Sequence, residues 1–147
     1  MMSRQLTSDD RVADAMVTRP KTHAPQSTLA EIRAFFDDDH VHMALIVAPD
    51  GRLVTTIERA DLSAVLSGTA LAAAIGTLAG RTVRPHDSLA AAAAALLLGG
   101  RRRLAVVDEM GRLLGLLCAK RDGSGYCSDA GIRSRAAEQA ISRAAGQ

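Results

Sequence analysis

Aromatic residues are scarce in this sequence: tryptophan is absent, and the two phenylalanines and one tyrosine make up 2% of 147 residues. We therefore expect an aliphatic core, and a stacking platform for nucleic-acid bases is nearly excluded because it needs several exposed rings. Long apolar runs are also missing, since the longest, Leu89 to Leu98, falls well short of the roughly 20 residues of a membrane span. The N-terminus leads into Asp9 and Asp10 rather than an apolar stretch. We expect no secretory signal and no membrane span, and predict a cytoplasmic protein.

Cysteine and lysine are rare as well. Cys118 and Cys127 lack a Cys-x-x-Cys spacing, and in a cytoplasmic protein we expect both to be free thiols.

The net charge of +2 divides unequally, because residues 1–66 hold ten acids and seven bases whereas residues 67–147 hold six acids and eleven bases. The basic second part favours an anionic partner, but its charge density is too low for a DNA-binding arm.

The sequence contains an internal repeat with an offset of 60 residues. Gly51-Arg52-Leu53-Val54 recurs as Gly111-Arg112-Leu113-Leu114, and the same offset aligns further threonine, proline and apolar positions without a gap. A chance match would not keep one register through turns, prolines and apolar runs together. The pattern indicates a tandem duplication.

Each repeat predicts the same series of elements. An extended segment ends at Pro25 or Pro85, and Thr28-Leu29-Ala30-Glu31 is typical of a capping box that opens a helix. Two short apolar runs joined by a glycine turn then predict a β-hairpin, with strands at Met43 to Ala48, Leu53 to Ile57, Leu104 to Val107 and Leu113 to Cys118. A further helix is predicted from about Ala60 to Ser67. We expect a shared core of Leu29, Ile32, Phe36, Ile46, Val47, Leu96, Val106 and Val107.

The predicted fold class is α+β, with two β-α-β-β-α repeats packed about a pseudo-twofold axis into one module. The repeats are assigned to residues 10–68 and 69–122, and residues 123–147 to a glycine loop and a C-terminal helix. A unit of about 60 residues buries too little apolar surface to stand alone, so the two copies must pack together. The axis between them creates two related clefts.

This order of elements resembles the CBS domain, and the tandem pair resembles a CBS-pair (Bateman) module, here stand-alone with no catalytic domain attached. The resemblance covers roughly residues 10–121. It rests on several short motifs in order, namely Asp14-Ala15-Met16-Val17-Thr18-Arg19-Pro20, Leu45-Ile46-Val47, Gly51-Arg52-Leu53-Val54, Arg59-Ala60-Asp61-Leu62, Leu104-Ala105-Val106-Val107-Asp108 and Gly111-Arg112-Leu113-Leu114-Gly115.

The resemblance implies a regulatory module that binds an adenosine-containing ligand (AMP, ADP, ATP or S-adenosylmethionine) between the repeats. In such a site Thr22 or Thr82 and the strand start at Met43 would contact adenine, and Asp61 would accept the ribose hydroxyls. The phosphates would reach Arg102 and Arg103, and His42 would line the cleft. Arg101 to Arg103 also fit a solvated loop before a strand.

The sequence departs from the family pattern at the helix that should hold the ribose. Glu58 occupies a hydroxyl position in the first repeat, where it would either accept hydroxyls or repel a phosphate. In the second repeat the corresponding residues are Cys118 and Arg121, and arginine cannot accept a hydrogen bond. We therefore expect a nucleotide only at the Asp61 cleft, and an empty cleft or a bare anion beside Arg121.

The residues do not indicate an enzyme, because no catalytic triad, paired carboxylates, phosphate loop or metal-ligand spacing is present. We predict no required cofactor and no metal site. The expected partners are a second copy of the chain, an adenine nucleotide and an unidentified regulated protein, without membrane or nucleic acid. The alternative is a ligand-free dimerisation or docking module with vestigial clefts.

Overall fold

The computed structural model describes residues 10–65, 67–121 and 125–127. The described helices are α1 (Val12–Ala15), α2 (Leu29–Phe35), α3 (Arg59–Leu62), a 3₁₀ helix (Ala72–Ala74) and α4 (Leu89–Gly99). The strands are β1 (Ala44–Val47), β2 (Leu53–Ile57), β3 (Thr82–Val83), β4 (Arg103–Val107) and β5 (Leu113–Cys118). The α+β class and the four hairpin strands are confirmed, and no helix in these residues is long and apolar enough to cross a membrane.

Two small sheets reproduce the 60-residue repeat. The antiparallel pair β1–β2 aligns Ala44 with Ile57, and the pair β4–β5 aligns Leu104 with Leu117 at the same offset. Both hairpins shift register before their last pair, after Ile46 in one and after Val106 in the other. The duplication in the sequence is therefore also a duplication of strand register.

The helices begin where the sequence predicts. Thr28 accepts a hydrogen bond from Glu31 N–H at the start of α2, and Ser88 does the same for Ala91 N–H at the start of α4. The end of α4 is set by Gly100, whose φ of 64° lies in the left-handed region that glycine adopts without strain. That turn directs the chain into the arginine run before β4.

The first segment of each repeat pairs with the opposite repeat. Val17 pairs with Leu116 in β5, and 60 residues later Thr77 pairs with Thr56 in β2. Gly76 lies so close to β2 that a Cβ atom there would meet the carbonyl oxygen of Thr56. The two repeats are therefore interlocked through their first segments, while the division at residue 68 stays a prediction.

The core consists of three clusters rather than one. Seven of the eight expected core residues are buried, and Val47 is only partly buried. The first cluster packs α2 against β1 and β2, the second packs α1 and α4 against β4 and β5, and the third joins the two hairpins. The expectation of a single shared cluster is wrong because α2 covers the first hairpin, α1 and α4 cover the second, and the two hairpins meet on their other faces.

Two local predictions need correction. Helix α3 is a single turn, Arg59–Leu62, rather than a helix to Ser67. The Leu62 carbonyl accepts from Val65 N–H at 3.3 Å, and the guanidinium of Arg33 donates to the carbonyls of Leu62 and Val65 at 3.3 and 2.6 Å. Arg33 thus satisfies carbonyl groups at the end of this turn. The predicted C-terminal helix lies outside the described residues.

The cysteines are not free thiols, because Cys118 and Cys127 form a disulfide. After β5 the chain turns back, Ala119 pairs with Tyr126, and Cys127 N–H donates to the carbonyl of Cys118 at 2.7 Å. This reversal brings the two Cα atoms within 5.3 Å, which a disulfide requires. The expectation of free thiols is wrong because the chain reversal, and not the spacing in sequence, sets the distance.

Candidate functional site

A cleft of about 240 Å³ lies between the repeats. Its first side is His42 before β1 together with the head of α3, and its second side is the chain from the end of α4 to the start of β4. The lining residues are His42, Glu58, Arg59, Ala60, Gly99, Gly100, Arg101, Arg102 and Arg103. The cleft therefore depends on both repeats.

His42 and Arg102 mark the pseudo-twofold axis in this cleft. They are equivalent positions, 60 residues apart, and Arg102 Nη2 lies 2.5 Å from His42 Nε2. Burial lowers the pKa of His42, and the cationic Arg103, Arg102, Arg59 and Arg121 lower it further, to about 4. The imidazole is therefore neutral at pH 7, so its Nε2 can accept the hydrogen bond that the guanidinium donates.

The two acids at the head of α3 are both paired with arginines of the second repeat. Arg81 donates to Asp61 Oδ2 at 2.7 Å and Oδ1 at 3.2 Å, and its Nη2 lies 3.1 Å from Glu58 Oε1. Arg101 donates to Glu58 Oε2 at 2.8 Å and Oε1 at 3.3 Å. These bidentate contacts tie the two repeats together beside the cleft.

Pairing shifts the pKa values of both Arg81 and Asp61. Burial by itself would raise the pKa of Asp61, but hydrogen bonds from Arg81 and from Glu58 N–H outweigh it, so the pKa is lowered. The hydrogen bond to Asp61 raises the pKa of Arg81 against the opposing effect of burial. The pair is therefore ionised at neutral pH.

Four of the eight residues assigned from the sequence line the cleft: His42, Glu58, Arg102 and Arg103. Asp61 lies next to it and accepts a hydrogen bond from Glu58 N–H, but it is not a lining residue.

The other three assigned residues lie apart from the lining set. Thr22 is exposed, Met43 is buried in the third core cluster, and Thr82 pairs with Ala105 in the sheet.

Two arginines at or beside the cleft were missed from the sequence: Arg59, which lines it, and Arg81, which pairs with the acids next to it. Arg101, named with Arg102 and Arg103 as a possible phosphate site, does line the cleft. Arg59 is held by the carbonyls of Phe36 and Val41, at 2.8 and 3.0 Å, and lies over the Phe36 ring. The acidic residue Glu58 at a hydroxyl position could have indicated these arginines. A carboxylate beside a phosphate site would repel the phosphate unless arginines paired with it.

The second cleft position has a different local structure. Cys118 is equivalent to Glu58, but the chain after it enters the disulfide-closed hairpin instead of a helix like α3. The hairpin is tied to the first cleft, because Ala119 N–H donates to the carbonyl of Arg102 at 2.8 Å and Ala119 O accepts from Arg103 at 3.3 Å. The two clefts are therefore chemically unequal.

Within the described ranges, no group of three or more histidine, cysteine, aspartate or glutamate side chains is arranged to hold a metal ion.

The repeats, their hairpins and the cleft between them define a paired-repeat α+β fold, and the comparisons with known proteins agree on this fold. Residues 81–121 match the family model described as the CBS domain. The matched residues make up most of the second repeat, and the described chain has the fold seen in solved CBS domain pairs. No curated protein sequence matches the chain.

Three solved structures illustrate the similarity. CBSX2 in complex with AMP is 21% identical with a TM-score of 0.64, and the match covers 88% of this chain and 98% of that one. The cytosolic domain of the Mg²⁺ channel MgtE in complex with ATP is 21% identical with a TM-score of 0.62, covering 75% and 46%. Hypoxic Response Protein I, with two coordinated zinc ions, is 20% identical with a TM-score of 0.60, covering 74% and 92%. At these identities the likeness establishes the fold.

The variant Asp61→Asn tests the strength of the Arg81 pair through its pH dependence. Because the folded-state pKa of Asp61 is lowered from 3.8, its contribution to stability is present above that ordinary value and is lost as pH falls through the folded-state value. We expect wild type to exceed Asp61→Asn in free energy of unfolding at pH 7, with the difference shrinking below about pH 4. Urea denaturation at several pH values measures it.

The exposed Glu109 in the second hairpin turn provides the control variant, Glu109→Gln. If Asp61→Asn costs no more stability at pH 7 than this control, the Asp61–Arg81 pair contributes nothing and its assignment fails.

Proposed function

We propose that the protein is a non-catalytic regulatory module that binds an adenosine-containing phosphate ligand in the inter-repeat cleft and changes the state of a partner protein. The observation that carries the proposal is the cleft itself, which brings Arg59 of the first repeat together with Arg101, Arg102 and Arg103 of the second. A ligand held by both repeats would alter their relative position. That is the property a regulatory module needs.

The chemistry of the cleft supports a phosphate ligand. Guanidinium groups bind phosphate oxygens through paired hydrogen bonds, and Arg102 is oriented toward the cleft by His42. Two proteins with this fold were solved in complex with AMP and with ATP. AMP, ADP and ATP are therefore the proposed regulatory ligands, and S-adenosylmethionine is the fourth candidate.

The placement of the nucleoside remains a proposal taken from the resemblance. It puts the adenine against Thr22 and Met43 and the ribose on Asp61. Arg81 already donates to both oxygens of Asp61, so a ribose hydroxyl would have to share Oδ1 with Arg81. The ribose contact therefore competes with the hydrogen bonds that Arg81 already donates to Asp61.

A second candidate function is a dimerisation or docking module. It is favoured by the outer face of α4, where Leu97 and Leu98 are 83% and 90% exposed beside exposed alanines. Apolar surface on a helix marks a contact site, and two copies of one face can cover each other about a twofold axis. We propose a second copy of this chain as the partner of this face.

The variants Leu97→Glu and Leu98→Glu test the proposed homodimer, since charge on the α4 face would oppose burial. We expect sedimentation velocity at micromolar concentration to show a dimer for wild type and a monomer for either variant. Met110→Glu is the matched control, because Met110 is 71% exposed in the second hairpin turn, away from α4. A monomeric wild type, or a dimer that survives both α4 substitutions, would refute this interface.

Ligand binding is tested by a thermal-shift screen with AMP, ADP, ATP and S-adenosylmethionine, followed by calorimetry of the hits. A ligand that binds only the folded state raises the Tm by mass action. Replacing Arg102 by alanine should weaken nucleotide binding by about tenfold or more, the scale of hydrogen bonds to a charged group. The control Arg84→Ala changes an exposed arginine outside the cleft and should keep wild-type affinity.

If no nucleotide binds wild type at millimolar concentration, the docking module replaces the sensor as the function. A cytoplasmic location is likewise proposed from the sequence. The Cys118–Cys127 disulfide is of a kind that is rare in reducing compartments, and cell fractionation tests the location.

A further inference from the structure

We propose that Arg81 determines the ligand specificity of the cleft: by occupying Asp61, it makes the site recognise a phosphate chain rather than the nucleoside. This inference rests on the proposed function and names which part of the nucleotide contributes the affinity. It assigns to Arg81 a role that lies outside the motifs of the sequence.

Arg81 is built into the fold as a partner of the acids. Its side chain is 9% exposed, and Nη1 donates to Asp61 Oδ2 at 2.7 Å and to the carbonyl of Thr56 at 3.1 Å. Nη2 donates to Asp61 Oδ1 at 3.2 Å and lies 3.1 Å from Glu58 Oε1. A ribose that displaced this guanidinium would leave a buried charge without its carboxylates, which costs far more than a hydroxyl contact returns.

Glu58 is held in a similar way. Arg101 places Nε and Nη2 on its two oxygens, at 2.8 and 3.3 Å, and Arg101 Nη1 donates to the carbonyl of Gly80 at 3.1 Å. The guanidinium of Arg101 thus joins the head of α3 to the residue before Arg81. Both acids at the head of α3 therefore already accept hydrogen bonds from the protein, and neither needs a ribose hydroxyl as a partner.

The charge that remains in the cleft is positive. Among the described lining residues there are four arginines and one carboxylate, Glu58. Burial is the first cause of the lowered pKa of His42, and the nearby Arg103, Arg102, Arg59 and Arg121 lower it further. A ligand with three or four negative charges is attracted by this field, whereas a sulfonium compound such as S-adenosylmethionine is repelled.

The size of the cleft agrees with recognition of part of a nucleotide. Pockets that enclose whole drug-sized ligands measure about 300–1,000 Å³, and this cleft measures about 240 Å³. The volume accommodates a diphosphate or triphosphate group between the arginines and leaves most of the nucleoside outside. Adenosine in this arrangement makes few contacts with buried polar groups.

Calorimetry on the wild-type protein gives the first test, in a buffer without divalent cations that would neutralise the phosphate chain. The probes are inorganic triphosphate, ATP, adenosine and S-adenosylmethionine. We expect triphosphate to bind within about threefold of ATP, and adenosine and S-adenosylmethionine not to bind at millimolar concentration. A Kd for ATP that is at least tenfold below that for triphosphate would overturn the inference while leaving the proposed function intact.

Variants of the pair give the second test. Asp61→Asn should bind ATP as tightly as wild type or more tightly, because it removes a negative charge and no ligand contact. Arg81→Ala should free Asp61 for the ribose and weaken the binding of triphosphate. The affinity for ATP relative to that for triphosphate should then rise by about tenfold. Adding Asp61→Asn to Arg81→Ala should cancel that preference. The Arg84→Ala variant serves as the control for loss of a positive charge elsewhere.

The outcomes separate the two proposals. If Asp61→Asn alone lowers the affinity for ATP by tenfold or more, Asp61 binds the ribose and the proposed role of Arg81 is refuted. If neither ATP nor triphosphate binds wild type, the proposed function itself fails. Circular dichroism establishes whether Arg81→Ala folds, and if it does not, the wild-type comparison of ATP with triphosphate decides.

Discussion

Arg81 crosses from the second repeat to the first and donates to both oxygens of Asp61, in a position where its guanidinium is largely removed from water. Removing one partner of such a pair would expose the other as an uncompensated charge, so the two repeats are held in one arrangement at this point. Arg101 and Glu58 repeat the contact a few ångströms away. Four arginines and one carboxylate are among the described residues that line the cleft, which gives the described wall its cationic character.

The pseudo-twofold symmetry relates the cleft beside Glu58 to the position beside Cys118, and within the described residues the two differ in their side chains. The backbone keeps the 60-residue offset through strand pairs, bulges and the interlocked first segments. The side chains break it, because Glu58 corresponds to Cys118 and His42 corresponds to Arg102. In the second repeat a disulfide and a hairpin replace the helix head. A duplicated scaffold thus supports one cationic cleft and one position with different chemistry.

The strands, the helix starts and the repeat could be predicted because they depend on local patterns: apolar runs, a capping threonine, and glycine turns seen twice. The disulfide could not, since it depends on a chain reversal after Cys118 that no spacing rule describes. The length of α3 depended on Arg33, 29 residues from the Leu62 carbonyl it contacts. Arg81 was missed for the same reason: its partner Asp61 is 20 residues away, and only the packed repeats bring them together.

The central claim is that Arg81 and Arg101 pair with the acids at the head of α3, while the described lining of the cleft keeps an excess of positive charge. The titration of His42, followed by NMR of its imidazole in the ligand-free protein, tests this claim most directly, because the ring lies among those arginines. The account predicts a pKa of about 4, with the shift reduced in Arg102→Ala. A pKa at or above the ordinary value of 6.5 would mean that the cleft carries no excess of positive charge, and would contradict the account.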